Sequence, residues 1–150
     1  KQMSLMALIG CSVLLAGCAS QSEVVFCPTI SAPEEGARSF VRSDNTKQIF
    51  DIRLNGVNAV CTQHNSGGTM VALSVGLKIK RSLAEGKAND VIAVPMMSAI
   101  VDANQTVIDN QEFGYRVGFD KGSDRKFPVA EIEQLVPADA RLVISLRPAY

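Results

Sequence analysis

The chain has 150 residues, with 15 acidic and 15 basic side chains and no formal net charge. That length fits a single domain, and the 133 residues left after an N-terminal export segment can bury roughly two-thirds of their unfolded surface. The balanced charge supplies neither a basic footprint for DNA or RNA nor a polybasic membrane segment, and the absence of Trp argues against a stacking platform for single-stranded nucleic acid.

Lys1 is followed by an apolar run, Leu5 to Ile9 and then Val13 to Leu15. The run is shorter than the about 20 residues that cross a bilayer and matches the hydrophobic region of a signal peptide. It ends in Leu15-Ala16-Gly17-Cys18, which resembles the lipobox of bacterial lipoproteins. The resemblance implies diacylglycerol on the Cys18 thiol, cleavage before Cys18, and a membrane anchor of two or three acyl chains, which hold where one does not. Leu8-Ile9-Gly10-Cys11 satisfies the same pattern loosely, but cleavage there would leave too short an apolar run. Ala19 follows the anchor cysteine where an Asp often marks retention in the inner membrane, so the resemblance implies an outer-membrane, periplasm-facing location. The resulting division is 1–17 signal peptide, 18–23 lipidated tether and 24–150 folded domain.

The domain reads as strands. Residues 24–26 are a short apolar run, and residues 31–39, with Pro33 and Gly36, read as a loop. Phe50, Ile52 and Leu54 alternate with Asp51 and Arg53. At Asn55-Gly56 the chain either turns into a hairpin or continues to Cys61 through a bulge that moves the apolar positions from even to odd; the shortness of the flanking runs favours the bulge. Residues 69–80 alternate most clearly, with Val71, Leu73, Val75, Leu77 and Ile79 on one face. The run from Val91 to Val101 contains Pro95, which cannot donate to a ladder and so predicts a bend or an edge. Phe113 to Phe119 and Ala140 to Leu146 alternate again, while residues 129–136 predict an inter-strand crossing or one helical turn. Turn signals separate the runs at 65–68, 85–87, 102–105 and 120–123. Five to seven strands of this spacing predict an all-β, immunoglobulin-like antiparallel β-sandwich, in architecture only because the core Trp of antibody domains is missing.

Chemistry-bearing residues are few. Cys27 and Cys61 both lie beyond the anchor and predict a disulfide; a redox pair would favour C-x-x-C spacing, and zinc would need four ligands. His64, the only histidine, sits before a double glycine with no nucleophile motif to serve, so a loop role is expected. Asp102, Asn104 and Asp109 lack EF-hand spacing and read as turn formers. Glu131 and Glu133 carry no diagnostic spacing, and neither a P-loop nor a dinucleotide-binding glycine pattern occurs.

Cys27-Pro28, the second cysteine at 61, the Phe113–Phe119 strand and Glu131-Ile132-Glu133-Gln134 before the Ala140–Leu146 strand together resemble a group of small alphaproteobacterial outer-membrane lipoproteins. The resemblance spans most of 24–147 and implies fold and location but no activity. The expected function is therefore a non-enzymatic binding or scaffold subunit of an envelope complex. The bilayer holds it through Cys18, an envelope protein is its partner, nucleic acid is not, and no cofactor is needed beyond the covalent lipid. The strand edge near Pro95 and the 65–68 loop are its expected contact surfaces. The alternatives are a hydrolase or carbohydrate-active enzyme with unrecognised carboxylates, and a carrier of an apolar ligand in a cavity lined by Met96, Met97 and Phe113.

Overall fold

The computed structural model describes residues 23–82 and 88–147. The signal segment, Cys11, Cys18, the tether to residue 22 and the turn signal at 85–87 lie outside the described residues. Two sheets pack face to face. In one, β1 (Ile30–Ser31), β9 (Arg141–Leu146), β5 (Asp90–Val101) and β6 (Val107–Phe119) lie in that order. In the other, β2 (Arg38–Arg42), β3 (Ile49–Gln63) and β4 (Thr69–Arg81) follow one another, and β7 (Arg125–Lys126) and β8 (Val129–Val136) share the remaining edge of β4. Every pairing is antiparallel except that of β1 with β9. This is the expected all-β sandwich.

Period-two alternation drives the layers together. On β4, Val71, Leu73, Val75, Leu77 and Ile79 are all fully buried, and they meet Ile92, Val94 and Met96 of β5 and Leu142, Ile144 and Leu146 of β9 in one core. Phe50 and Phe119 close one end of it, ring centroids 5.0 Å apart. Such interdigitated inner faces supply most of the stabilisation of a sandwich.

The bulge forms where expected. Leu54 pairs Leu77 and Val57 pairs Val75, so β3 spends one residue more than β4 across this step. Inward positions accordingly pass from Phe50 and Ile52 to Cys61. Gly56 takes φ +97°, a left-handed backbone that side chains disfavour. The extra residue presses the Asn55 carbonyl onto β4, where a Cβ at Gly76 would sit 2.6 Å from that oxygen. Two glycines thus admit one bulge.

Three expectations need correction. Residues 129–136 form neither a helical turn nor a plain crossing but the full strand β8; its alternation is masked because the buried Gln134 occupies an inward position. Residues 31–39 are not all loop: β2 begins at Arg38, with Ser39 and Val41 turned inward. Residues 24–26 form no strand of their own, only one bridge from Val24 to Thr62, and Phe26 is fully exposed.

Pro95 is not on an outer strand, since β5 lies between β6 and β9. It sits where β9 ends: Met96 pairs Leu146, and the Arg147 amide donates to the Pro95 carbonyl at 3.1 Å. The reciprocal bond would need an N–H that proline lacks. The buried Ser39 hydroxyl, from the opposite sheet, donates to the Arg147 carbonyl instead, at 2.9 Å. Ser39 thereby satisfies an acceptor that the ladder cannot, and it joins the sheets along the β2 side. Across the molecule the Tyr115 hydroxyl donates to the Val129 carbonyl at 3.0 Å and joins the β6 and β8 sides.

Candidate functional site

Cys27 and Cys61 form a disulfide, Cα atoms 5.2 Å apart. Beside it, the Val25 amide donates to the Cys61 carbonyl and the Gln63 amide to the Glu23 carbonyl, both at 3.0 Å. Residues 23–25 therefore lie along the end of β3, on the edge that β4 leaves open. β2 occupies that same edge further along. The chain thus enters the fold on the outer margin of the five-stranded sheet, and Val24, opposed to Thr62, shares the sheet's outward face with Val60.

The most distinctive surface is the other half of that outward face. Arg38 pairs Arg53 and Arg53 pairs Lys78, which places three cations in one row across three strands. The next row runs Phe40, Asp51, Lys80 and Arg125, and Arg42 lies opposite Ile49. Asp51 is the one carboxylate among these positions. Arg38 holds it in a bidentate pair, both contacts 2.9 Å, and Arg53 adds a third at 3.3 Å. The hydrogen bond from Arg38 lowers the Asp51 carboxyl below its ordinary range; partial burial opposes this and Arg53 assists it. Exposed Phe40, Ile49 and Phe127 stand among these cations, with the Arg38 guanidinium 4.7 Å over the Phe40 ring. Phe127 and Val129 also border a shallow depression of about 270 Å³ above Gly76 and the bulge. The glutamates Glu131 and Glu133 stand on β8, at the far margin of the sheet, where Ser74 donates to Glu131.

Composition gave no sign of this surface. Its cations come from four strands and are balanced by acids elsewhere, so only strand register collects them. The expectation that a neutral chain carries no basic surface is corrected in this respect.

A cleft of about 690 Å³ opens at the end of the sandwich, lined by Asn45, Asn89, Asp90, Asp120 and Lys126 among others. Asp90 is buried, accepting from the Ser43 hydroxyl at 2.7 Å, the Thr46 hydroxyl at 2.5 Å and the Val91 amide at 2.8 Å. Burial pushes its carboxyl up, but these hydrogen bonds and the Arg81 charge outweigh it, and the net direction is down. Arg81, also buried, donates to the carbonyls of Ser123, Ala88 and Asp120 and stacks over Phe119. A carboxylate held ionised and fully engaged is a loop clamp rather than a proton donor.

The remaining singled-out residues fall apart in space. His64 is half-buried in the β3–β4 turn; its Nδ1 accepts from the Ser66 amide at 3.2 Å and lies 2.8 Å from the Ser66 hydroxyl. Asp102 accepts from the Asn104 and Thr106 amides, both at 2.9 Å, as a turn former does. Asn104 and Asp109 are exposed. Met96 is buried in the core, whereas Met97, its neighbour on β5, points to the opposite face and cannot share a cavity with it. Phe113 borders a shallow groove of about 280 Å³ beside Pro95 and the Arg147–Glu112 ion pair. The 65–68 loop is a tight turn, closed by the His64 amide on the Gly68 carbonyl.

Comparison with protein-family models, curated proteins and solved structures finds no match to this chain, so function is argued from the surface itself.

Proposed function

We propose that this chain is an envelope lipoprotein, anchored through Cys18 to the periplasm-facing side of the outer membrane, whose sandwich serves as a non-enzymatic binding or scaffold subunit. The observation that carries the reading is the Cys27–Cys61 disulfide nine residues beyond a lipobox cysteine. A bridge between residues so placed fits an exported, oxidising setting. The broad outward face of cations and exposed apolar side chains is the form of a contact surface rather than of a substrate pocket. The hydrolase reading draws little from the cleft, because the Asp90 oxygens there are already engaged by Ser43, Thr46 and the Val91 amide.

Two measurements test this. Intact-mass analysis is expected to show a diacylglyceryl-modified N-terminus at Cys18, and the Cys18→Ser variant is expected to stay uncut and unlipidated. Normal processing of that variant would refute the anchor. In-cell crosslinking of the lipidated protein is expected to capture one stoichiometric envelope partner absent from the Cys18→Ser control; capture of none would sink the scaffold role.

A further inference from the structure

We infer that the outward face of the five-stranded sheet is a docking surface for a bilayer bearing anionic phosphate headgroups, on which the domain lies along its β2 margin. The inference rests on the anchoring proposed above and names what the domain does beside the membrane that holds it.

Three observations converge. The first is charge. Arg38, Arg42, Arg53, Lys78, Lys80 and Arg125 share half of one sheet face with a single carboxylate, and Asp51 is already neutralised by two arginines. Such a face meets an anionic surface with little competition from its own acids.

The second is the admixture of exposed apolar groups. Phe40 and Ile49 are about half exposed and stand between the cations, and Val24, Val60 and Phe26 lie exposed near the other end of the same margin. Aromatic and aliphatic side chains flanked by cations suit the headgroup boundary, where rings enter the interface while guanidinium and ammonium groups stay with the phosphates. The described face offers no row of aromatic rings on which bases would stack, so a membrane fits better than a single-stranded nucleic acid.

The third is the tether. Glu23 lies five chain steps from Cys18, with four residues between them, a reach of at most about 18 Å. Residues 23–25 then run along the edge of β3 that β2 also occupies. A domain held this closely by that margin must keep it near the bilayer. Tilting onto it brings Phe40, Arg38 and Arg42 down and leaves Glu131 and Glu133, on the opposite margin, away from the anionic surface.

The test is the rate at which Lys78 and Lys80 are acylated by a water-soluble amine reagent, read by mass spectrometry on the full lipidated protein. The rate is compared between detergent micelles, phosphatidylcholine vesicles, and vesicles containing one-third phosphatidylglycerol. Both lysines are expected to react at least fivefold more slowly in the anionic vesicles alone, with the protection lost at high salt as screening removes the attraction. The exposed triple variant Arg38→Gln, Arg42→Gln, Arg53→Gln is expected to lose it too, its fold checked by circular dichroism and by the retained disulfide.

Micelle-like rates in anionic vesicles, or equal protection in neutral ones, would overturn the inference. So would protection by a DNA oligonucleotide in micelles without protection by vesicles. If the intact mass shows no lipid at Cys18, the anchoring has failed separately, and co-sedimentation of the unlipidated full chain with anionic but not neutral vesicles decides the docking on its own.

Discussion

Arg81 and Asp90 are opposite charges buried in one corner of the sandwich, each satisfied mainly by other groups. Arg81 spends its planar donors on three loop carbonyls, and Asp90 spends its oxygens on Ser43, Thr46 and Val91. Lysine carries the charge but not the fork. Arg81→Lys should therefore cost about 1–3 kcal/mol by leaving part-buried loop carbonyls without their donors, seen as a lower urea midpoint at unchanged slope. Asp90 also sets a pH dependence. Its folded pKa lies below the unfolded value, so the unfolded state takes up the proton first as pH falls. The stabilisation is complete above about pH 4 and is lost as pH drops through the folded value. Asp51, lowered by Arg38, adds a smaller solvent-screened contribution of the same sign. Asp90→Asn should cost about 1–3 kcal/mol at pH 7, and its deficit against the unsubstituted protein should shrink at pH 3. A deficit equal at both pH values would show that the carboxylate charge does not stabilise this corner.

Among the elements, the β3 bulge gives the sharpest contrast. Gly76 faces the Asn55 carbonyl with no room for a Cβ, whereas Gly118 on β6 has nothing within 4 Å of the same position. Gly76→Ala should destabilise by about 1–3 kcal/mol through overpacking against backbone. Gly118→Ala should be neutral, or stabilising by up to about 1 kcal/mol through the unfolded chain. Thermal midpoints of the two variants measure the difference directly, and equal shifts would refute the close approach. The same strands show what sequence reveals and hides. β4, the inner half of β6, and β9 were legible because each keeps apolar residues on one parity, and the bulge was legible because that parity changes at Asn55-Gly56. β8 and β2 were obscured by inward polar side chains, Gln134 in one and Ser39 in the other. Ser39 is turned inward for a reason no single strand contains: it donates to a carbonyl left over by Pro95 on the opposite sheet. The disulfide partners could be read from their place beyond the lipobox, but the cationic face could not. Arg38, Arg53 and Lys78 are far apart in the chain and become neighbours only through the register of β2 on β3 and β3 on β4.

For the whole molecule, the disulfide is the element that ties the direction of entry to the orientation of the sheets. After Cys27 the chain leaves the five-stranded sheet and joins the other as β1, beside β9, so the bridge pins the crossing between layers. It closes a separation of 34 residues, which the chain-entropy account values at about 3–4 kcal/mol. The double variant Cys27→Ala, Cys61→Ala should therefore melt roughly 10 °C lower while keeping its sheet signature, because Cys61 is one small member of a core otherwise built mainly from the larger apolar side chains of β3, β4, β5 and β9. Stability is only half of the expected effect. Without the bridge, residues 23–25 keep only two backbone hydrogen bonds to β3, and once these open the first attachment becomes Thr29 and β1, beside β9. The reach from Cys18 then grows from about 18 Å to about 40 Å. A longer tether lowers the local concentration of the cationic face at the bilayer and releases its orientation. On the docking proposed above, protection of Lys78 and Lys80 in anionic vesicles should fall in the double variant at temperatures well below its melting point, and equally in the unsubstituted protein once reduced. Protection that survives both treatments would mean that the six cations hold the face to the bilayer unaided and that the bridge contributes stability alone.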